Sequence, residues 1–272
     1  MTDPAVPTTG TRGTRAAWPA FAAGAAVGLL GGLIGLGGAE FRLPLLISVF
    51  GFAALQAVML NKVMSLLVVA TALPARLVAV PYADLAPHWP VVLDLLVGSV
   101  VGAWLGASWA TRMTGSTLHR VLAALLVLIA AALVGTHTGT LGTLELPELQ
   151  RYALGVLAGL AIGAVAALMG VAGGELLIPT LVLLHGIDLK TAGSLSLAIS
   201  LPTMLVALAR YRRDSSWGVV RRERRFLLVM AAGSVAGTLL GGLLLGVVPT
   251  GLLVPLLAGL LLLSARTVFR HA

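Results

Sequence analysis

Two apolar frames, each carrying a single glutamate, constrain this chain more than any other feature. They read Gly35-Leu-Gly-Gly-Ala-Glu40-Phe-Arg-Leu-Pro44 and Gly170-Val-Ala-Gly-Gly-Glu175-Leu-Leu-Ile-Pro179. Each lies at the end of a long apolar stretch, 135 positions apart. A carboxylate is expensive in such surroundings. Polar breaks at matching places in two halves point to the binding site of a transporter.

The same offset extends well beyond the glutamates. Adding 135 carries Gly24 and Gly28 onto Gly159 and Gly163, Pro44 onto Pro179, Gly51 onto Gly186, Ala57 onto Ala192 and Ser65 onto Ser200. It also carries Gly98, Ser99, Gly102 and Gly106 onto Gly233, Ser234, Gly237 and Gly241, with no insertion or deletion. One register of this length indicates a duplicated unit. The expected division is a polar tail at 1–17, a first repeat at 18–135, a connecting loop at 136–150 and a second repeat at 151–272.

A water-soluble fold is excluded. The chain is 58% hydrophobic and 10% charged, where soluble domains carry about 25% charged residues. Apolar segments fall near 18–36, 43–50, 55–80, 89–110 and 118–135, then 151–169, 176–185, 189–210, 226–247 and 251–265. Segments 43–50 and 176–185 are too short to cross a bilayer, which takes about 20 helical residues. The expected fold is an all-α polytopic membrane protein of about eight spans. Each half would hold one broken or re-entrant hairpin and three transmembrane helices.

Cysteine is absent, which removes disulfides, thiolate metal sites and cysteine nucleophiles. The net charge of +8 does not mark a nucleic-acid partner, because the arginines cluster in short loops between apolar segments. In a membrane protein that clustering sets orientation. Arg210, Arg212, Arg213, Arg221, Arg222, Arg224 and Arg225 place the 210–225 segment in the cytoplasm, with Arg112 and Arg120 on the same side. Arg12 and Arg15 place the N-terminus there, and Arg266 and Arg270 the C-terminus; the Glu145–Glu148 connection and the turn near Pro249 fall outside. The polar start followed by the apolar run from Trp18 is read as the start of a retained helix rather than a signal peptide. With these sides fixed, 18–50 and 149–186 each make an even number of crossings, from opposite faces. The copies are then inverted, and their hairpins bring Glu40 and Glu175 together near the midplane. The rival is eight plain spans with parallel copies and an external N-terminus.

The short helices after the breaks present free N–H groups and a positive dipole end, which suit an anion. Gly37, Gly38, Gly173 and Gly174 would let a ligand approach the backbone, or else only permit a tight turn. Glu40 and Glu175 have two readings, as capping carboxylates or as proton carriers, since a carboxyl taken out of water more readily accepts a proton. Arg42 would neutralise Glu40, while the second copy has Leu177 there. Lys62 is costly inside the 55–80 span. With Asn61, Ser65, Ser194, Ser196 and Ser200 it is expected to line a polar cavity facing the hairpins; the alternative is a structural pairing with Glu40 or Glu175. Asp94 is placed near an interface beside Trp89 and Pro90. The glycine series spaced by four are packing faces that suit a monomer or a homodimer equally. No phosphate loop of the G-x-x-x-x-G-K type is present, and no histidine is placed with Ser or Glu as hydrolase or zinc chemistry requires. No enzyme activity, metal or cofactor is expected.

Two copies of a Gly-x-Gly-Gly-x-Glu-x-x-x-Pro type motif, each followed by a short apolar helix, a glycine and a helix rich in Asn and Ser, resemble the sulfite exporter TauE/SafE family. The stretches 35–76 and 170–211 carry most of the match, and Leu60-Asn61-Lys62-Val63-Met64-Ser65-Leu66 looks like the first-copy version in some members. The resemblance implies a permease of the bacterial inner membrane for small sulfur-containing anions such as sulfite or organosulfonates. The chain departs from a symmetric pattern at Ala39 and Arg42 against Gly174 and Leu177. The expected function is a secondary transporter of a small anion, outward and proton-coupled. The alternatives are a passive anion channel and a non-transporting membrane scaffold.

Overall fold

The computed structural model describes residues 17–34, 38–79, 82–137, 147–243, 259, 262–263 and 265–270. Regular structure among them is helical: α1 (Ala17–Ile34), α2 (Ala39–Ser48), α3 (Ala54–Ala79), α4 (Tyr82–Leu85), α5 (Trp89–Ala110), α6 (Gly115–His137), α7 (Glu148–Met169), α8 (Gly174–His185), α9 (Leu189–Tyr211), α10 (Gly218–Arg222) and α11 (Arg224–Leu243). The tail with Arg12 and Arg15, Gly37, most of the 136–150 connection and the turn near Pro249 lie outside the described residues.

Among the described residues, five stretches are long and apolar enough to cross a membrane: Ala54–Pro74, Tyr82–Ala110, Glu148–Met169, Thr191–Tyr211 and Arg224–Gly241. Ala17–Leu30, Gly115–Ile129 and Gly174–His185 are shorter apolar helices. The protein is a multi-pass membrane protein. Helix α2 has 10 residues and α8 has 12. At 1.5 Å per residue they reach about 15 and 18 Å, well short of the roughly 30 Å hydrocarbon layer. Each starts one residue before its glutamate, at Ala39 and Gly174, which puts Glu40 and Glu175 in the first turn.

The small residues determine which helices meet. Helix α1 packs along α11 and α5 along α7. A Cβ on Gly24 would strike the Met230 carbonyl oxygen, and one on Gly28 that of Ser234. From the other side, Gly233 faces the Phe21 carbonyl and Gly237 that of Ala25. In the second pair, Gly159 faces the Leu95 carbonyl and Gly163 that of Ser99, while Gly98 faces Val156 and Gly102 faces Leu160. Each contact in one pair reappears in the other with both partners moved by 135 positions. Numbers rise together along both helices of each pair, so the partners run parallel.

Helix α5 shows both sides of this arrangement. Gly98, Gly102 and Gly106 are buried, while Leu93, Val97, Val101 and Trp104 are exposed. An exposed face this apolar suits lipid, where close packing of small residues, rather than exclusion from water, joins helices. Helix α9 crosses the same α5: the Ser99 and Thr203 hydroxyls lie 2.7 Å apart. Further along, Arg210 Nε donates to Ser108 Oγ at 2.9 Å and Nη2 to Thr111 Oγ1 at 3.2 Å. Helices α5 and α9 therefore also run parallel. The arginine-rich segment after α9 shares one end of the molecule with the α5–α6 turn that holds Arg112, and Arg213 lies 5.4 Å from the centre of a Trp104 ring.

Candidate functional site

The two breaks are built from glycines in the left-handed region. Gly38 (φ 68°) precedes α2 and Gly173 (φ 90°) precedes α8. A side chain at either position would be strained, and a Cβ on Gly38 would also meet the Val27 carbonyl. At the N-terminus of α2, the N–H groups of Phe41 and Arg42 return to Gly38 O; in α8, those of Leu176 and Leu177 return to Gly173 O.

The break before α8 leaves the last carbonyls of α7 beyond reach of a continuing helix. Gly170 N–H closes on Ala167 O, and Val171 N–H on Ala166 O. The remaining acceptor capacity is taken by α3 and α9. Lys62 Nζ donates to Ala166 O at 2.8 Å and Val171 O at 2.6 Å. Asn61 Nδ2 donates to Met169 O at 3.2 Å and also to Ala39 O at 3.0 Å. Ser65 Oγ donates to Gly170 O at 3.3 Å, and Tyr211 Oη to Ala167 O at 2.8 Å. Irregular backbone survives at membrane depth only when it is satisfied in this way.

These contacts change the expected use of Lys62 and Asn61. Both face the hairpins, but as donors to backbone carbonyls rather than as an open polar lining. The cause is the negative end of α7, which attracts a cation and a donor amide. Two hydroxyls of the second copy, those of Ser196 and Ser200, do not join this set. Ser196 Oγ donates to Gly193 O at 2.9 Å within its own helix, and Ser200 Oγ is buried without a partner; Ser194 is buried as well. Gly174 opens α8 with a buried backbone. Tyr211, fully buried at the end of α9, was not singled out from the sequence, because a tyrosine beside an arginine run reads as an interfacial anchor.

Glu40 and Glu175 come together. Their carboxyl groups lie within hydrogen-bonding reach of one another, at 2% and 9% exposure. Glu40 also draws on its own backbone N–H. Both Glu175 oxygens and Glu40 Oε2 lack a donor. Two carboxylates are acceptors only, so a bond between them exists only when a proton sits on one.

Arg42 is fully buried, and its Nε, Nη1 and Nη2 contact no acceptor. Its charge acts on Glu40, yet the two form no ion pair, in contrast to the neutralising contact expected from their spacing. Both lie on the short α2, where a two-residue spacing turns side chains to different faces. Asp94 lies across from Gly155, where a Cβ would collide with its Oδ2, and that oxygen is buried without a partner.

Together these elements place four ionisable side chains, from both halves, inside an apolar helical protein. No curated protein and no solved structure matches the chain significantly. The family described as Sulfite exporter TauE/SafE does match, over residues 20–268, nearly the whole length. On that match and on its apolar helices, the chain belongs to the sulfite exporter TauE/SafE family of membrane permeases.

Proposed function

We propose that the protein is a secondary transporter that moves a small oxyanion, such as sulfite or an organosulfonate, across the bacterial inner membrane with proton coupling. The observation that carries this reading is the apposition of Glu40 and Glu175 beside a guanidinium with no acceptor. Intramembrane ionisable groups of this kind mark substrate and proton pathways. Glu40 and Glu175 handle the proton. The N-termini of α2 and α8 at Gly38 and Gly173–Gly174, together with Arg42, receive the anion. Asn61, Lys62 and Ser65 hold the breaks in shape.

The division into repeats at 18–135 and 151–272 belongs to the same proposal, with the copies inverted. Its support is directional. Helix α5 runs parallel to α9, and α9 connects to α11 through a short segment, so consecutive spans reverse direction. Helix α11 then opposes α5, its counterpart 135 positions away. With the arginine-rich segment in the cytoplasm, both termini fall inside.

The test is transport in sealed proteoliposomes, using sulfite and a small sulfonate under an imposed pH gradient. The native protein is compared with the Glu40→Gln/Glu175→Gln double variant. Gradient-driven movement that the double variant loses supports proton-coupled transport. Movement indifferent to the gradient replaces this reading with a passive channel. No movement of either anion by folded protein refutes both.

A further inference from the structure

We propose that Glu40, Glu175, Arg42 and Lys62 act as one charge-balanced unit that takes up one proton and one singly charged oxyanion together, so that a transport cycle moves no net charge. This rests on the anion-transport reading above and adds to it the stoichiometry and the charge class of the substrate.

All four side chains are buried, Arg42 and Lys62 completely. Uncompensated charge in such a place is strongly disfavoured. Among the described residues, Glu40 feels the charges of Glu175 and Arg42, and Lys62 that of Glu175. Among the described residues, Arg210 in the last turn of α9 bonds to Ser108 and Thr111, and Asp94 faces Gly155 on α7. Helix α1 carries no titratable residue, and α11 carries Arg224 and Arg225 only at its start. Glu148, Arg151 and Tyr152 lie at the far end of α7, and His185 at the far end of α8. Helix α6 has His119 and Arg120 in its first turns. Tyr211 is engaged with Ala167 O.

The balance follows from these groups. With one proton between Glu40 and Glu175, the pair carries one negative charge against the two cations. The unit then lacks one negative charge. The free guanidinium is the place for it, because its planar fork of N–H donors matches an oxyanion that presents two oxygens in one plane. Without the proton, two carboxylates already balance two cations, and the charge of an incoming anion is left uncompensated. Proton and anion therefore enter and leave as a pair. There is one such site rather than two, since the second copy has the buried Leu177 where the first has Arg42.

Methanesulfonate is the probe, because its single charge is fixed near neutral pH and it brings no proton of its own. The full chain in proteoliposomes is given a pH gradient with the voltage clamped by potassium and valinomycin. Expected is accumulation of about tenfold per pH unit of gradient, one proton per anion, unchanged when the clamped voltage is altered. In Glu40→Gln, or Glu175→Gln should that variant fold better, the pair holds one negative charge permanently; movement then becomes indifferent to the pH gradient and follows the voltage. Arg42→Met removes accumulation. Gradient-driven movement of the native protein that also follows voltage overturns the neutral stoichiometry and leaves anion transport standing. A Glu40→Gln protein still driven by the pH gradient likewise overturns the shared-proton unit alone. Absence of methanesulfonate movement by folded native protein overturns this inference, and the transport reading falls with it only when sulfite does not move either.

Discussion

Replacing Gly102 by alanine tests the helix pairing directly. The added Cβ would meet the Leu160 carbonyl oxygen, with Leu160 C at 2.8 Å and Ala164 N at 3.0 Å, where ordinary contact begins at 3.4 Å. The obstacle is backbone on both sides, so no side chain can swing away. Helices α5 and α7 must separate along the seam that also holds Gly98, Gly106, Gly159 and Gly163. A gap of about 0.5–1 Å forfeits a quarter to a half of each dispersion contact it opens. Overpacking of this kind costs about 1–3 kcal/mol, and the better helix propensity of alanine returns about 0.5–1 kcal/mol. The expected net loss is roughly 0.5–2 kcal/mol, or about 2- to 30-fold in the unfolding equilibrium. Gly237→Ala, its counterpart against the Ala25 carbonyl, should lose a similar amount. Gly115→Ala is the control: nothing lies within 4 Å of its Cβ, and only the propensity gain remains. Unfolding in mixed micelles of rising SDS fraction, followed by circular dichroism, measures all three. A Gly102→Ala protein as stable as the native one, or one matching Gly115→Ala, would refute the pairing.

Further outcomes follow from single contacts. Asn61→Ala orphans the Met169 carbonyl and leaves Ala39 O, which opens α2, with one donor fewer, at about 1–3 kcal/mol for the orphaned group if it stays buried, measurable in the same micelle titration; a change under about 0.5 kcal/mol would mean that these bonds contribute little to stability. Ser99→Ala should cost about 1 kcal/mol by leaving the Thr203 hydroxyl with one partner fewer, whereas Ser234→Ala should be neutral or stabilising because Ser234 Oγ is buried with no partner. Equal effects at the two serines would contradict the Ser99–Thr203 contact. Lys62→Met should abolish transport and lower stability in the same titration, because Ala166 O and Val171 O lose their Lys62 donor; full transport would remove Lys62 from the charge balance.

Much of this architecture was legible in the chain because membranes make hydropathy explicit. Apolar runs near 55–80, 89–110 and 151–169 match α3, α5 and α7 to within a few residues. The offset of 135 located the second glutamate and most glycines of the two parallel seams; Gly155 has Ala20 as its counterpart. Even the meeting of Glu40 and Glu175 followed from which loops carry arginine. Partners of buried donors were not legible. Lys62 reaches Ala166 O, 104 positions away, and nothing in a run of hydropathy states that the end of α7 will stop beside it. Tyr211 was missed for the same reason. Arg42 was assigned to Glu40 by proximity in sequence, but two residues apart on a helix do not share a face.

The crossed pairing of the helices also sets an order of assembly. The glycine face of α5 finds its partner in α7 after roughly 60 further residues, from Gly102 to Leu160. The face of α1 waits far longer, since Gly28 meets Ser234. At synthesis rates of about 5–20 residues per second, the ribosome takes roughly 10–40 s to cover that interval. During that time α1 sits in the membrane with its small-residue seam open to lipid or to any other helix. The α5–α7 pair can form early, whereas the α1–α11 pair closes only after both have been made.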